Sequence, residues 1–407
     1  MSAGVRRLGD GSRGLVAAAR GCGVARVAVV AGLLCFAPVA GSTAAPAAAT
    51  PAQAAPAQAA PAQAAPAQAA PTQAAPTPPR TPPRVFLPIK GDLWRAGNGN
   101  WWSLVYVTPD GIVLVDPISP DFAAWLKGEL GTRFPGKAVK YIVYSHSHWD
   151  HVGGAAVFAD SHPHIVGQER ILKNMDGRYP HMPGDMVDRN NDGMIEAEEI
   201  DIPTREHFGI CGMFPGYFET VDRTHSGHLT PAQWWAAQGV VPPDIVYSER
   251  MTLVFGGRRI ELVFPGLNHA DDGTVVYFPL ERVVFSADFP ADALVTASMR
   301  SLPSACGVFD RHPLAEWIRS YETIESLDFD ILAQGHGSGT FTKGDVSEGR
   351  QYFEDLRAEV AQGMAAGKTL AELKESLLLE KYRSWAHYDT LRKDNIEAAY
   401  LNLKNYP

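Results

Sequence analysis

Three histidines and an aspartate lie within six residues of one another, in the segment SHSHWDH at positions 145–151. Imidazole is a preferred ligand of zinc and similar borderline metal ions, and a carboxylate adds a harder oxygen donor. On a turn that leaves a strand, the alternate residues His146 and His148 can face one point. Asp150 and His151 can then face a second point further round the bend. The segment therefore predicts a metal site with mixed nitrogen and oxygen ligands.

The sequence around this segment predicts strands that would carry it. Residues 140–144 form a short apolar run bounded by polar residues, which is typical of a buried strand. Repeated strand and helix units predict an α/β fold in which helices cover sheets. The other predicted strands cover residues 92–95, 101–107, 112–115, 274–278, 283–285 and 330–332, and two more lie within 251–264. Predicted helices cover residues 121–130, 152–158 and much of the chain after Val346.

The segment matches in full the HxHxDH signature of the metallo-β-lactamase superfamily, and the chain resembles that family at further positions. In chain order, His269, Asp288 and His336 resemble its remaining metal ligands. Asp116 follows an apolar strand and resembles the aspartate that holds a ligand in place. The resemblance extends over about residues 91–339, apart from a central insertion.

This resemblance implies an αββα sandwich and a pair of zinc ions or other transition-metal ions. The implied ligands are His146, His148 and His269 for one ion, Asp150, His151 and His336 for the other, and Asp288 between them. Two adjacent cations would lower the pKa of a bridging water toward neutrality, so that a metal-bound hydroxide could attack the substrate. Asp150 is the expected catalytic residue, because it could orient that hydroxide or shuttle its proton.

The implied function is a metal-dependent hydrolase acting on an ester, lactone, thioester or related small molecule. Asp288 favours this group of activities, because β-lactamases proper mostly lack a bridging aspartate. Three alternatives stay open: a β-lactamase, an enzyme similar to the iron persulfide dioxygenases, and a catalytically inactive calcium-dependent binding module. The native metal also stays open, because zinc, iron and manganese all bind such sites.

A second type of metal site is indicated by residues 188–199, whose sequence DRNNDGMIEAEE fits the EF-hand pattern at every position. Donors that are all oxygen suit calcium and not zinc. The predicted calcium ligands are Asp188, Asn190, Asp192, the carbonyl of Met194, and Glu199.

A weaker loop of the same spacing begins at Asp222 and continues through Thr224, Ser226 and His228. Gln233 replaces the closing glutamate, so we predict weak calcium binding or none. Both loops lie in an EF-hand-like helical insertion over residues 184–241, between the first and second blocks of zinc ligands. We hypothesise that calcium orders the wall of the substrate pocket; the alternative is a stabilising clip remote from the pocket.

The N-terminal region predicts export. Residues 1–44 combine arginines, an apolar stretch and small residues, as a secretory signal peptide does. Residues 45–84 repeat PAQAA and predict a disordered tether. The expected metallo-β-lactamase domain covers 85–345 and C-terminal helices cover 346–407. The protein is thus expected to be secreted or periplasmic, with an uncleaved membrane anchor as the alternative.

Composition excludes several other functions. The net charge of -9 argues against nucleic-acid binding. The sequence contains no run of 18 or more apolar residues, so it does not predict a stable membrane span. With four cysteines in 407 residues, the chain is neither a disulfide scaffold nor a cysteine-based zinc module. A bridge between Cys211 and Cys306 stays open, as does the oligomeric state. The pair Trp101-Trp102 is expected in the core or the pocket wall.

Overall fold

The computed structural model describes residues 83–178, 188–200, 216–289, 300–303, 312–337 and 339–406. The predicted signal peptide, nearly all of the predicted tether, and both Cys211 and Cys306 lie outside these residues. Within these ranges, no helix combines the length and the apolar character that a membrane crossing requires.

Seven of the strands form one twisted sheet. Their bounds are Arg84–Lys90 (β1), Leu93–Asn98 (β2), Trp101–Thr108 (β3), Gly111–Val115 (β4), Val139–Val143 (β5), His164–Gln168 (β6) and Ile245–Tyr247 (β9). The order across the sheet is β1-β2-β3-β4-β5-β6-β9, antiparallel as far as β4 and parallel from β4 onward. Every residue of β4 is buried, as expected for a strand that is covered on both faces.

Six strands form the second sheet. Their bounds are Arg250–Phe255 (β10), Arg258–Val263 (β11), Val275–Phe278 (β12), Val283–Ser286 (β13), Ile331–Gln334 (β14) and Thr340–Phe341 (β15). They lie in chain order, and only the β13–β14 pair is parallel. A parallel pair brings the carboxyl ends of both strands to the same edge, so the residues that follow β13 and β14 emerge together.

The two sheets pack face to face, and helices cover their outer faces. Leu104 and Val113 from the first sheet share a core with Val276 and Phe285 from the second. The outer helices are Pro120–Arg133 (α1) against the first sheet, and Leu314–Glu325 (α7), Lys343–Ala365 (α8), Leu370–Ser376 (α9) and Tyr388–Asn405 (α10) against the second. The expected αββα sandwich is therefore confirmed.

The expected helix over residues 152–158 is wrong. The structure has a short helix at Trp149–Val152 (α2) and then a 3-10 helix at Ala155–Ser161. Gly154 between them has φ 90°, and a Cβ there would lie 2.5 Å from the backbone oxygen of Ser119. An ordinary residue could not adopt this backbone or fit this space, so the helix breaks at the glycine.

Short elements make up the described part of the predicted insertion. They are Ile171–Asn174 (α3) before it, and then Ile195–Glu196 (β7), Ala197–Ile200 (α4), Tyr217–Val221 (α5), His228–Leu229 (β8) and Pro231–Ala237 (α6). β7 pairs with β8 in an antiparallel two-stranded sheet. Thr230 and Gln233 form a capping box that begins α6 and satisfies backbone groups at its first turn.

Candidate metal centre

The predicted ligands come from loops at the carboxyl ends of buried strands. The segment that contains His146 and His148 follows β5, and α2 begins at Trp149, so Asp150 and His151 lie in its first turn. The other ligands come from the second sheet. His269 lies between β11 and β12, Asp288 lies two residues after β13, and His336 lies two residues after β14.

One group of side chains consists of His146, His148, His269 and Asp288. Each offers one atom, and these atoms lie within 4.8 Å of one another. His269 Nε2 lies 3.1 Å from His148 Nδ1 and 3.1 Å from Asp288 Oδ2. His146 Nε2 lies 3.5 Å from the same Asp288 oxygen. The structure therefore brings together the residues expected to hold the first ion.

A second group consists of Asp150, His151 and His336, whose offered atoms also lie within 4.8 Å of one another. His336 Nε2 lies 3.2 Å from Asp150 Oδ2 and 3.1 Å from His151 Nε2. Asp288 joins this group through its other oxygen, because Oδ1 lies 2.7 Å from His336 Nε2. Asp288 thus lies between the two groups, with one carboxylate oxygen facing each.

The chemistry of both groups fits borderline transition-metal ions. Imidazole nitrogens face each other at 3.1 Å in each group, between His148 and His269 and between His151 and His336. The Nε2 atom of His146 is buried and has no hydrogen-bond partner among the described residues. A cation would satisfy these converging lone pairs, and the mixture of imidazole and carboxylate donors is one that zinc, iron and manganese accept.

Burial and neighbouring charges give Asp150 and His146 the protonation states that metal ligands need. Burial opposes the charged form of Asp150, but the charges of His151 and His336 lower its pKa to about 2. Burial, together with the charge of His151, lowers the pKa of His146 to about 4. Asp150 is therefore an anion and His146 is neutral near pH 7, and both can donate lone pairs.

His336 behaves differently from His146. Burial disfavours its charged form, but the Asp288 and Asp150 carboxylates raise its pKa to about 9. In the absence of a cation His336 therefore carries a proton at neutral pH. Because a metal ligand must be deprotonated, cation binding at the second group must release this proton.

Asp116 holds His151 in place. Its Oδ2 atom lies 2.9 Å from His151 Nδ1, and its Oδ1 atom accepts a hydrogen bond of 2.8 Å from the backbone N–H of Ser145. A histidine that donates from Nδ1 keeps the lone pair of Nε2 for a metal. Asp116 itself is fully buried and has φ 54°, in the left-handed region that aspartate tolerates better than most residues.

One residue of the centre, Trp101, was missed by the sequence analysis. Its indole Nε1 donates a hydrogen bond of 2.9 Å to Asp150 Oδ2. Our expectation of a core or pocket-wall aromatic did not include a contact with a ligand. The register of β3 on β4, in which Leu104 pairs with Val115, places Trp101 at the same sheet edge as Asp116. That register places Trp101 near the centre, but it does not indicate the contact with Asp150.

The first calcium-type loop is organised around its carboxylates. Asp188 Oδ2 accepts a hydrogen bond of 2.7 Å from the N–H of Gly193, which has φ 89°. Asp192 Oδ1 accepts one of 2.9 Å from the N–H of Met194. Glu199 Oε1 accepts one of 2.6 Å from the N–H of Arg189, and its Oε2 accepts one of 3.2 Å from Glu196. Asn190 also lies in the loop, where its Oδ1 accepts from the N–H of Asp192 at 2.8 Å.

The second loop has the same spacing, but its third and fifth positions carry the neutral hydroxyls of Thr224 and Ser226. Asp222 Oδ1 accepts hydrogen bonds from the hydroxyls of Thr224 at 2.8 Å and Ser226 at 3.2 Å. The Ser226 hydroxyl also lies 2.6 Å from the carbonyl oxygen of His228. Gln233 Oε1 accepts from the N–H of Thr230 at 2.8 Å. The two loops meet where Ile195 pairs with Leu229, at the eighth position of each.

Comparison with known proteins agrees with this architecture. The sequence profile of the metallo-beta-lactamase superfamily matches residues 94–336. One curated relative is the 2,4-dinitroanisole O-demethylase subunit alpha of Nocardioides sp. (strain JS1661), 24% identical over 250 residues, which are 61% of this chain and 56% of that protein. Another is the linear primary-alkylsulfatase of Pseudomonas sp. (strain ATCC 19151), 21% identical over 282 residues, which are 67% of this chain and 48% of that protein. The chain spans about half the length of the curated relatives it matches.

Solved structures share the fold. The stereoselective inverting sec-alkylsulfatase Pisa1 from Pseudomonas sp. superposes with a TM-score of 0.52 and 16% identity, covering 80% of this chain and 51% of that one. A double mutant of the sec-alkyl sulfatase PisA1 gives a TM-score of 0.56 at the same identity and coverage. From its profile match and its fold, the chain belongs to the metallo-beta-lactamase superfamily, a superfamily of hydrolases.

Proposed function

We propose that the protein is a dinuclear metal-dependent hydrolase that cleaves ester-type bonds in small molecules. The observation that carries this proposal is the position of Asp288, whose Oδ2 lies 3.1 Å from His269 and whose Oδ1 lies 2.7 Å from His336. A carboxylate between two groups of imidazoles suits two neighbouring cations. When bound, two such cations would lower the pKa of a water between them and polarise the bond under attack.

The side chains of the chain would supply the remaining functions. His146, His148 and His269 would hold one cation, and Asp150, His151 and His336 the other. Asp150 is the proposed proton acceptor, because its carboxylate belongs to the second group and is an anion near pH 7. Asp116 would keep the His151 ring turned toward the cation through the bond to Nδ1.

The substrate class is proposed from the chemistry of the site and from the relatives. A centre of this kind suits carboxylic esters, lactones and thioesters, in which an oxygen or sulfur atom leaves. One relative is named an alkylsulfatase and another an O-demethylase. These names support the addition of sulfate esters and activated aryl ethers to the substrates tested.

A hydrolysis panel with zinc-loaded protein tests the proposal. We expect turnover of at least one ester-type substrate, and its loss in Asp288→Asn. Asp160→Asn is the matched control, because Asp160 is an exposed carboxylate that pairs with Lys127 away from the centre. Turnover that survives unchanged in Asp288→Asn would contradict the proposal. A chromogenic cephalosporin and a persulfide with oxygen monitoring belong to the panel, because cleavage or oxygen uptake would reassign the reaction.

We propose in addition that the loop at 188–199 binds calcium. Its support is the arrangement of oxygen atoms on Asp188, Asn190, Asp192 and Glu199, together with the pairing of its eighth residue with the second loop. The second loop has weaker metal ligands. In addition, the Ser226 hydroxyl donates a hydrogen bond to the carbonyl oxygen of His228, which would be the ligand at the seventh position of this loop. Binding there is proposed to be weak.

We propose, finally, the domain organisation and location that the sequence indicates. Residues 1–44 would direct export and 45–84 would tether the catalytic domain, 85–345, in which the calcium insertion occupies 184–241; helices over 346–407 would complete the chain. N-terminal sequencing of protein recovered outside the cytoplasm would test this. Cleavage near Ala44 or Ala45 is expected, whereas an intact N-terminus on a membrane fraction would support the anchored alternative.

A further inference from the structure

Trp101 contacts two ligands of the second group at once. Its indole Nε1 donates a hydrogen bond of 2.9 Å to Asp150 Oδ2. Its ring also lies edge-on to the His336 ring, with centroids 6.1 Å apart and an interplanar angle of 65°. The same Asp150 oxygen lies 3.2 Å from His336 Nε2. One indole therefore touches the carboxylate and the imidazole that come from different sheets of the sandwich.

The backbone fixes where this indole lies. Trp101 forms a β-bridge with His336. On either side of the bridge, the N–H of Trp102 donates to Gly335 at 2.8 Å, and the N–H of Gly337 donates to Asn100 at 3.0 Å. The start of β3 is thereby joined to the loop that carries His336. Any movement of that loop would carry Trp101 with it, so the indole and the imidazole keep their relative position.

We propose that Trp101 is a positioning residue that holds Asp150 in the orientation required for the second cation. A carboxylate oxygen has two lone pairs. The indole N–H occupies one of them and leaves the other for a cation near His336 and His151, whose Nε2 atoms lie 3.2 Å and 3.6 Å from the same oxygen. Indole can only donate, so it orients the carboxylate and cannot compete with it for the cation or exchange a proton with it. This inference rests on the proposed dinuclear function.

The role predicts a selective loss of metal affinity. Removing a hydrogen-bond partner of a ligating side chain typically weakens metal binding or activity about 10–100-fold. In Trp101→Phe, we expect the first zinc to bind as in the wild type and the second to bind at least about tenfold more weakly. Excess zinc should restore most of kcat, because the variant would lose activity only through incomplete occupancy of the second zinc site. If Trp101 were needed only for folding, its replacement would weaken the binding of both cations together.

The experiment is a stepwise zinc titration of the full chain, in which calorimetry measures the affinity of each site. Trp125→Phe is the matched control, because Trp125 packs on Phe122 of α1 with centroids 5.3 Å apart, away from the ligands. A second variant replaces Trp101 with benzothienylalanine, which keeps the ring shape and removes only the N–H donor. This variant decides the question if Trp101→Phe does not fold.

The possible outcomes separate the two proposals. A weaker second site in the Trp101 variants, with Trp125→Phe unchanged, supports the positioning role. Wild-type affinity for the second zinc in the benzothienylalanine variant overturns that role and leaves the dinuclear function intact. If the wild-type chain takes up only one zinc at saturation, the proposed dinuclear function itself fails, and the role of Trp101 fails with it.

Discussion

The ring of Tyr217 packs against the ring of Trp149, with the two centroids 5.0 Å apart. Trp149 lies between the proposed zinc ligands His148 and Asp150 in the sequence. Tyr217 begins α5, and this helix ends at Val221, next to the first residue of the second calcium-type loop. This aromatic contact connects the predicted insertion with α2, the helix that carries Asp150 and His151. Through this contact, calcium binding in the insertion could affect the position of the proposed zinc ligands.

Removing calcium is predicted to affect both stability and turnover. A ligand that binds only the folded state at 100 times its Kd adds about 2.7 kcal/mol of stability. Glu199→Gln, which removes the closing charge of the first loop, should therefore lower Tm, and it should lower kcat through the Tyr217–Trp149 contact. Thermal unfolding and turnover at fixed zinc, with and without a calcium chelator, measure both effects.

The pattern of these two effects distinguishes the hypotheses. A fall in Tm with unchanged kcat would favour the stabilising clip. If neither quantity responds to chelation, the loop has no role for calcium in this enzyme. Glu198→Gln is the control, because Glu198 lies beside Glu199 in the sequence but not at a ligand position of the loop pattern.

The second loop is predicted to gain affinity from one substitution. Gln233→Glu would restore a negative, bidentate ligand at the closing position. The capping box would survive, because glutamate can accept the bond from Thr230 N–H that Gln233 accepts at 2.8 Å. Calorimetric titration should show one calcium per chain in the wild type and two in the variant. An unchanged stoichiometry would mean that the loop cannot close around an ion.

Asp116→Asn is predicted to lower zinc affinity and activity about 10–100-fold. The amide keeps an acceptor for Ser145 and tolerates φ 54°, so the fold should survive. It no longer offers a charged acceptor to His151 Nδ1, and the ring loses its fixed orientation. Zinc affinity and kcat/KM measure the loss, with Asp160→Asn as the control. Full activity in Asp116→Asn would show that His151 needs no such support.

A pH-dependent contribution to stability is predicted for Asp272. Its carboxylate is fully buried and has no well-aligned hydrogen-bond partner among the described residues, although Ser147 and Asn174 lie beside it. Burial raises its pKa from 3.8 to about 6. Between these values the unfolded chain releases the proton first, so the free energy of unfolding falls as the pH rises from about 4 to 6.

The size of this effect is on the order of 3 kcal/mol, from a shift of roughly two pKa units. Asp272→Asn should abolish the decline and be more stable than the wild type above pH 6 but not below pH 4. Urea unfolding of metal-free protein at several pH values measures the difference. Parallel pH profiles of the two proteins would contradict the assignment of this pKa to Asp272.

The sequence predicted the parts of the centre that depend on residue type and local spacing. His146, His148, Asp150 and His151 lie close in the chain, and few structural roles require that combination. Asp288 became interpretable through the family resemblance, because nothing local marks a single aspartate after a strand. The contact of Trp101 with Asp150 could not be predicted, because it depends on the register of β3 and on the position of α2.

In the fold, too, the sequence predicted the elements that have a local pattern and missed those that depend on tertiary contacts. The strands with continuous apolar sequence were found, including β4 and β12. β1 was missed because Arg84–Lys90 is largely exposed and contains a proline, so it lacks the signature of a buried strand. The break after α2 was missed because helix periodicity does not report the approach of Gly154 to Ser119. Such close approaches are tertiary and leave no local pattern.

We propose that seven side chains hold two cations, and anomalous diffraction from zinc-saturated crystals tests this most directly. Two zinc peaks are expected roughly 3.5–4 Å apart, the usual separation in two-metal sites. One peak should lie among His146, His148 and His269, and the other among Asp150, His151 and His336, with Asp288 between them. A single peak, or zinc bound only elsewhere, would contradict the claim.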